Sequence, residues 1–217
     1  MKRLAFVAGI FIVLLVGGVA HATIINIDSR TNSISNPIGL SLEAGTYTIE
    51  TIGVADGGLF NAWSAWASSN CGNPDGCQRT VPTSSTGFLT SYQVNSPSIL
   101  SASVDGVDLN PTDVGSPLEN YFLMTPELTL LVVENGLVYP DALSALSGAQ
   151  TSIITLSGAG IVEFSIIDGP TLLGDNRGGL SLNIEPMAAA IPEPASMLLL
   201  GSGLLGLAGL RRKFKRR

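Results

Sequence analysis

The chain has 217 residues, a formal net charge of −6, 45% hydrophobic residues and only two cysteines and one histidine. Its eleven basic residues sit mostly at the ends, two before Leu4 and six after Leu210. Between Thr23 and Ala190, three arginines (Arg30, Arg79, Arg177) therefore face sixteen carboxylates, a net −13 that repels nucleic-acid phosphate and anionic lipid headgroups.

Lys2 and Arg3 precede an apolar stretch from Leu4 to Val19, and Ala20-His21-Ala22 forms a small-x-small cleavage site. Residues 1–22 are read as a signal peptide removed by signal peptidase, with Thr23 as the first mature residue. Loss of His21 leaves a mature domain without histidine or lysine. Serine hydrolysis through a histidine base and phosphoryl transfer through a glycine-rich lysine loop are thereby excluded. Sixteen acids leave room for a two-carboxylate glycoside hydrolase, but no pair is singled out by a surrounding pattern, and the domain is not expected to be an enzyme.

Residues 23–185 alternate short runs of Val, Ile, Leu, Thr and Ser with Gly, Pro, Asn and Asp. Strands are predicted over Ile24–Ile27, Leu40–Leu42, Tyr47–Ile52, Phe88–Val94, Ile99–Val104, Tyr121–Met124, Leu128–Glu134, Ser152–Leu156, Ile161–Ile167 and Leu180–Ile184, with one short helix over Pro140–Ser147. Tyr47-Thr48-Ile49-Glu50-Thr51-Ile52 alternates apolar and polar, as a half-buried antiparallel strand does. This spacing predicts an all-β fold, an antiparallel sandwich of jelly-roll type.

A loop rich in glycine, Ala55-Asp56-Gly57-Gly58-Leu59-Phe60, leads into Asn61-Ala62-Trp63-Ser64-Ala65-Trp66 and is placed beside the final strand, where it could lend a backbone carbonyl to an ion. Trp63 and Trp66 are candidates for stacking on sugar rings. They lie on opposite faces of a strand, so one of the two belongs to the core. Cys71 and Cys77 enclose a turn-forming loop, and an exported chain is expected to join them in a disulfide.

The most chemically suggestive segment of the domain runs from Ile166 to Ile184 and reads as a last hairpin. A strand ends at Asp168, a Gly/Pro loop follows, and Asp175-Asn176 opens the next strand. Asp168, Asp175, Asn176 and a carbonyl near Leu172 form an oxygen-rich set suited to calcium; the same residues also suit plain turn capping. The spacing of Asp168, Asp175 and Asn176 resembles the calcium loop of small galactose-binding bacterial lectins. That resemblance implies bound calcium and calcium-dependent carbohydrate binding, although the mature domain lacks the sugar-gripping histidine of those lectins.

Residues 186–191 read as a linker. Then come Pro192-Glu193-Pro194, an apolar glycine-rich run over 195–210, and the basic cluster Arg211, Arg212, Lys213, Lys215, Arg216 and Arg217. Sixteen helical residues reach about 24 Å, short of a ~30 Å hydrocarbon core, a shortfall that snorkelling of the arginines and local bilayer thinning can cover. The basic cluster acts as a stop-transfer signal that keeps this end in the cytoplasm. The tail over 192–217 resembles the PEP-CTERM sorting signal, also called the ice-binding protein C-terminal domain. The resemblance implies export across the inner membrane of a Gram-negative bacterium and anchoring by the 195–210 helix. Exosortase would then deliver the protein to the envelope, surface or extracellular matrix. A structural or adhesive role in exopolysaccharide is the expectation, with a calcium-dependent lectin-like module as the alternative. No periodic threonine array for ice binding is visible.

Overall fold

In the computed structural model the described residues are 22–65, 87–111 and 118–187, together with Gly203. Cys71, Cys77, Trp66, the signal peptide, Pro192-Glu193-Pro194, the 195–210 helix and the basic cluster Arg211–Arg217 lie outside these residues, Gly203 apart. Among the described residues no helix is long and apolar enough to cross a membrane.

The strands are β1 (Thr23–Asp28), β2 (Ile38–Leu42), β3 (Gly45–Ile52), β4 (Trp63–Ser64), β5 (Tyr92–Asn95), β6 (Ile99–Val104), β7 (Val107–Asp108), β8 (Tyr121–Met124), β9 (Thr129–Val133), β10 (Ser152–Leu156), β11 (Gly160–Ser165) and β12 (Arg177–Pro186). A helix α1 (Ala142–Ser147) lies between β9 and β10. All pairings are antiparallel. One sheet runs β1-β12-β3-β10-β6-β7 with β4 also on β12, and the other runs β2-β11-β5-β9-β8.

The pairing is nested: β1 with β12, β2 with β11, β3 with β10, and β5 with β9. Members of successive pairs fall in alternate sheets, which is a long hairpin wound twice around itself, the jelly roll expected from the strand spacing. Period-two side-chain alternation makes this packing work. In β3, Tyr47 and Ile49 point inward while Glu50 faces water; in β10, Ser152, Ile154 and Leu156 point inward. Their partners in one continuous core include Ile27, Val94, Phe122, Leu131, Phe164 and Leu182. Each such side chain contributes about 1.5–3 kcal/mol by leaving water.

The predicted strands over Ile99–Val104, Tyr121–Met124 and Ser152–Leu156 are found with those bounds. The Phe88–Val94 expectation splits instead. Phe88 and Leu89 make isolated bridges to Tyr139 and Trp63, and the strand proper begins at Tyr92. β7 was not anticipated, although its signal is present in the chain. Asp105-Gly106 takes positive φ at both positions, 49° and 77°, the tight hairpin turn that this dipeptide favours. The helix starts two residues later than Pro140 because Asp141 caps it, its carboxylate accepting from Ser144 N at 2.8 Å. Those hydrogen bonds from Ser144 hold the Asp141 pKa below its ordinary value.

The expected last hairpin is not one. β11 pairs with β2 and β5 in one sheet, whereas β12 pairs with β1 and β3 in the other. The residues from Ile166 to Asn176 therefore cross from sheet to sheet, a gap of ~10 Å that a two-residue turn cannot bridge. β12 also reaches Pro186, opposite Tyr47, and Met187 N donates to Thr46 O at 2.8 Å, so the first linker residue sits in the sheet.

Candidate functional site

The antiparallel order gathers one set of connections at one end of the sandwich. β5 and β12 begin there and β9 and β11 finish there, which brings together residues 89–91, 134–138, 167–175 and Trp63 of β4. They surround an open cleft of about 420 Å3. Leu118, Leu137, Val138 and Leu172 give it apolar walls, and Glu134, Asp168 and Asp175 supply carboxylates. Leu172, 61% exposed, stands at the rim.

Trp63 is the core tryptophan. It is 1% exposed and its indole Nε1 donates to Ser91 O at 3.1 Å, so its ring forms the inner wall of the cleft. The expected role as an open stacking platform is corrected for this residue, because its side chain is buried in the core. Trp66 lies outside the described residues.

Asp168, Leu172 and Asp175 all line the cleft, while Asn176 sits behind them and is fully buried. Asp168 Oδ1 accepts from Gly169 N at 2.7 Å, and Asp168 Oδ2 accepts from Asn176 Nδ2 at 2.9 Å. Asn176 Nδ2 also donates to Ser29 O at 2.9 Å, leaving Asn176 Oδ1 buried without a partner. Arg177 Nη1 donates to Gly174 O and Asn176 O, which ties the crossing segment to the start of β12. Ser29 had no signal in the sequence. Pairing of β1 with β12 places it there, and a nearby hydrogen bond from Ser29 N to Gly178 O fixes it.

Among the described residues no three of His, Cys, Asp and Glu gather closely enough to hold a metal ion. Asp168 Oδ2 and the Ser29 carbonyl meet at the Asn176 amide, whose Nδ2 donates to both; only with that amide turned over would the three oxygens form a set suited to a hard cation. A turned amide would set Oδ1 against two other oxygens, an arrangement that is repulsive unless a cation lies between them. The glycine-rich loop 53–60 does lie beside the last strand as expected, but it presents N–H groups there and not carbonyls. Leu59 N and Phe60 N donate to Ser181 Oγ at 2.9 and 3.0 Å, and Ser181 Oγ contacts Asn26 Oδ1 at 2.7 Å.

Glu134 follows β9 at the cleft wall and is 8% exposed. Burial raises its pKa, against the opposing pull of Ser91 and of Gly136 N, which donates to Glu134 Oε1 at 3.0 Å. Ser91, 5% exposed, also lines the cleft. Its hydroxyl is close enough to favour ionised Glu134, yet it makes no hydrogen bond of proper geometry. Sequence reading missed both residues, since a Ser before one strand and a Glu after another meet only through the pairing of β5 with β9.

No curated protein and no solved structure matches the chain. Residues 190–213 match the family model described as the PEP-CTERM protein-sorting motif. The match covers Pro192-Glu193-Pro194, the apolar run and the first of the basic residues. The chain thus carries a PEP-CTERM sorting motif, which marks it as an exported, exosortase-sorted protein anchored at its C-terminus.

Proposed function

We infer that this protein plays a structural or adhesive role in an exopolysaccharide matrix, with the jelly-roll domain displayed outside the cell. The sorting motif over 190–213, attached to a β-sandwich with an open cleft at one end, is the observation that carries this reading. Exosortase cleavage should leave a mature protein lacking Arg211–Arg217. Replacement of Pro192-Glu193-Pro194 by alanines should leave the chain uncut in the membrane, with its matrix-bound fraction lost. Intact mass and fractionation of the envelope check both points. A full C-terminal tail on wild-type protein, or no association with the polysaccharide fraction, would contradict the reading.

A second reading, a calcium-dependent carbohydrate-binding module, is favoured by the unpartnered Asn176 Oδ1, which turning the amide over would bring to Asp168 Oδ2 and the Ser29 carbonyl. Asp168, Asn176 and the Ser29 carbonyl would hold the ion, with Asp175 at the rim. Calcium would supply positive charge to polarise and orient sugar hydroxyls. The full chain in detergent should then melt at a higher temperature with millimolar calcium than with chelator, by mass action on the folded state. Asp168→Asn and Asp175→Asn should each remove most of that difference, and Glu50→Gln on the exposed face of β3 should not. Melting curves that ignore calcium would make Asp168 and Asn176 a hydrogen-bonded turn.

A further inference from the structure

A second unsatisfied group, which the calcium reading does not use, belongs to a residue of the cleft wall. Ser91 lines the cleft, and its Oγ is buried near Glu134 without a hydrogen bond of proper geometry. A buried polar group left unpaired costs about 1–3 kcal/mol, which a ligand hydroxyl or ammonium recovers on binding. The three carboxylates Glu134, Asp168 and Asp175 line the same cleft without converging on one point. Dispersed carboxylates match an extended ligand with several donors better than they match one ion. Leu137 and Leu172 offer exposed apolar surface between them. The volume of about 420 Å3 lies within the ~300–1,000 Å3 of small-ligand sites.

A ligand complementary to this lining carries positive charge, hydroxyl groups and an apolar face. A pyranose ring with a free amine has all three: C–H groups on one face, hydroxyls at the edge and an ammonium. We propose that the cleft between Ser91, Glu134, Asp168 and Asp175 binds a cationic amino sugar of a deacetylated polysaccharide. The ammonium pairs with the carboxylates, the Ser91 hydroxyl bonds a ring hydroxyl, and Leu137 and Leu172 cover the C–H face. Burial of Glu134 at the cleft wall supports the assignment, because desolvation disfavours its charged form and an adjacent ammonium would offset that. The net −13 between Thr23 and Ala190 draws a polycation toward the domain. An amino sugar is favoured over a lysine-rich peptide because the unpaired hydroxyl is matched by a hydroxylated ring and not by a methylene chain. The identity of the glycan rests on the matrix reading above; the cleft does not.

Titration calorimetry on the full chain in detergent micelles, with chelator present, tests this directly. The β-1,4-linked glucosamine tetramer should bind, and its N-acetylated counterpart should bind about tenfold more weakly, the worth of one charge-assisted hydrogen bond. Binding should weaken as salt rises. Glu134→Gln should lower affinity about tenfold by the same reasoning, and Ser91→Ala a few-fold with no loss in the unfolding midpoint. Glu50→Gln, on the exposed face of β3, should leave affinity unchanged. Equal binding of acetylated and deacetylated tetramers, no binding of either, or binding of oligolysine in place of the glucosamine tetramer would each overturn the proposal. Protein that is sorted and held in the matrix but fails this titration sinks the amino-sugar site alone. Tight binding by a protein that never associates with the matrix sinks the matrix role alone.

Discussion

Two polar corners flank the start of β12, and they are built to opposite ends. At Ser181 every group has a partner: its Oγ receives Leu59 N and Phe60 N and bonds Asn26 Oδ1, and Asn61 Oδ1 receives Val54 N at 2.8 Å. Space there is so tight that a Cβ on Gly179 would strike the Ile27 carbonyl and the Phe60 ring. At the cleft, Ser91 Oγ is buried and unpaired, as is Asn176 Oδ1 behind its wall, and Glu134 is a carboxyl short of solvation. A satisfied corner holds the sandwich together. An unsatisfied one keeps binding capacity in reserve, because a group already bonded inside the protein has nothing to offer a ligand.

If that contrast is real, the largest effect of substitution falls at the closed corner. Gly179→Ala should cost about 3 kcal/mol or prevent folding, since neither a carbonyl nor a packed ring gives way easily. Urea denaturation reads this as a drop in midpoint. Ser181→Ala should cost about 1 kcal/mol by orphaning the half-buried Phe60 N–H, while Leu59 N keeps Asn26 Oδ1.

At the open corner the effects shrink and change sign. Glu134 holds its proton more tightly folded than unfolded, so its contribution to stability is fully present below the unfolded value of 4.5 and is lost as pH rises through the raised folded value. Glu134→Gln should remove that loss and flatten the melting temperature across this window. The smallest effect belongs to Ser91→Ala, which deletes a hydroxyl with no bond to lose and should change stability by less than about 1 kcal/mol, toward greater stability. A loss as large as that of Ser181→Ala would show that Ser91 is part of the scaffold.

The jelly roll was legible because inward and outward positions alternate with period two, as in β3, and the turns are marked by Gly, Pro, Asn and Asp. Asp168, Leu172 and Asp175 were legible as a site because they lie within eight residues of one another. Ser91, Glu134 and Ser29 were not. They come from three separate stretches of chain and meet only because β5 pairs with β9 and β1 pairs with β12. The crossing between β11 and β12 was misread as a hairpin for a related reason: local turn chemistry does not say which sheet the next strand joins. Trp63 and Trp66 were separable by face, but the burial of Trp63, with its Nε1 bonded to Ser91 O, could be read only from the structure.

The central claim is that the two corners differ in function. The most direct measurement is a chemical-shift titration of the isotopically labelled full chain in micelles with the glucosamine tetramer. Shifts at the backbone amides of Ser91, Glu134 and Asp168, with those of Asn26, Leu59 and Ser181 unmoved, are the predicted result. Shifts centred on Asn26 and Ser181, or spread evenly over the acidic surface, would contradict it.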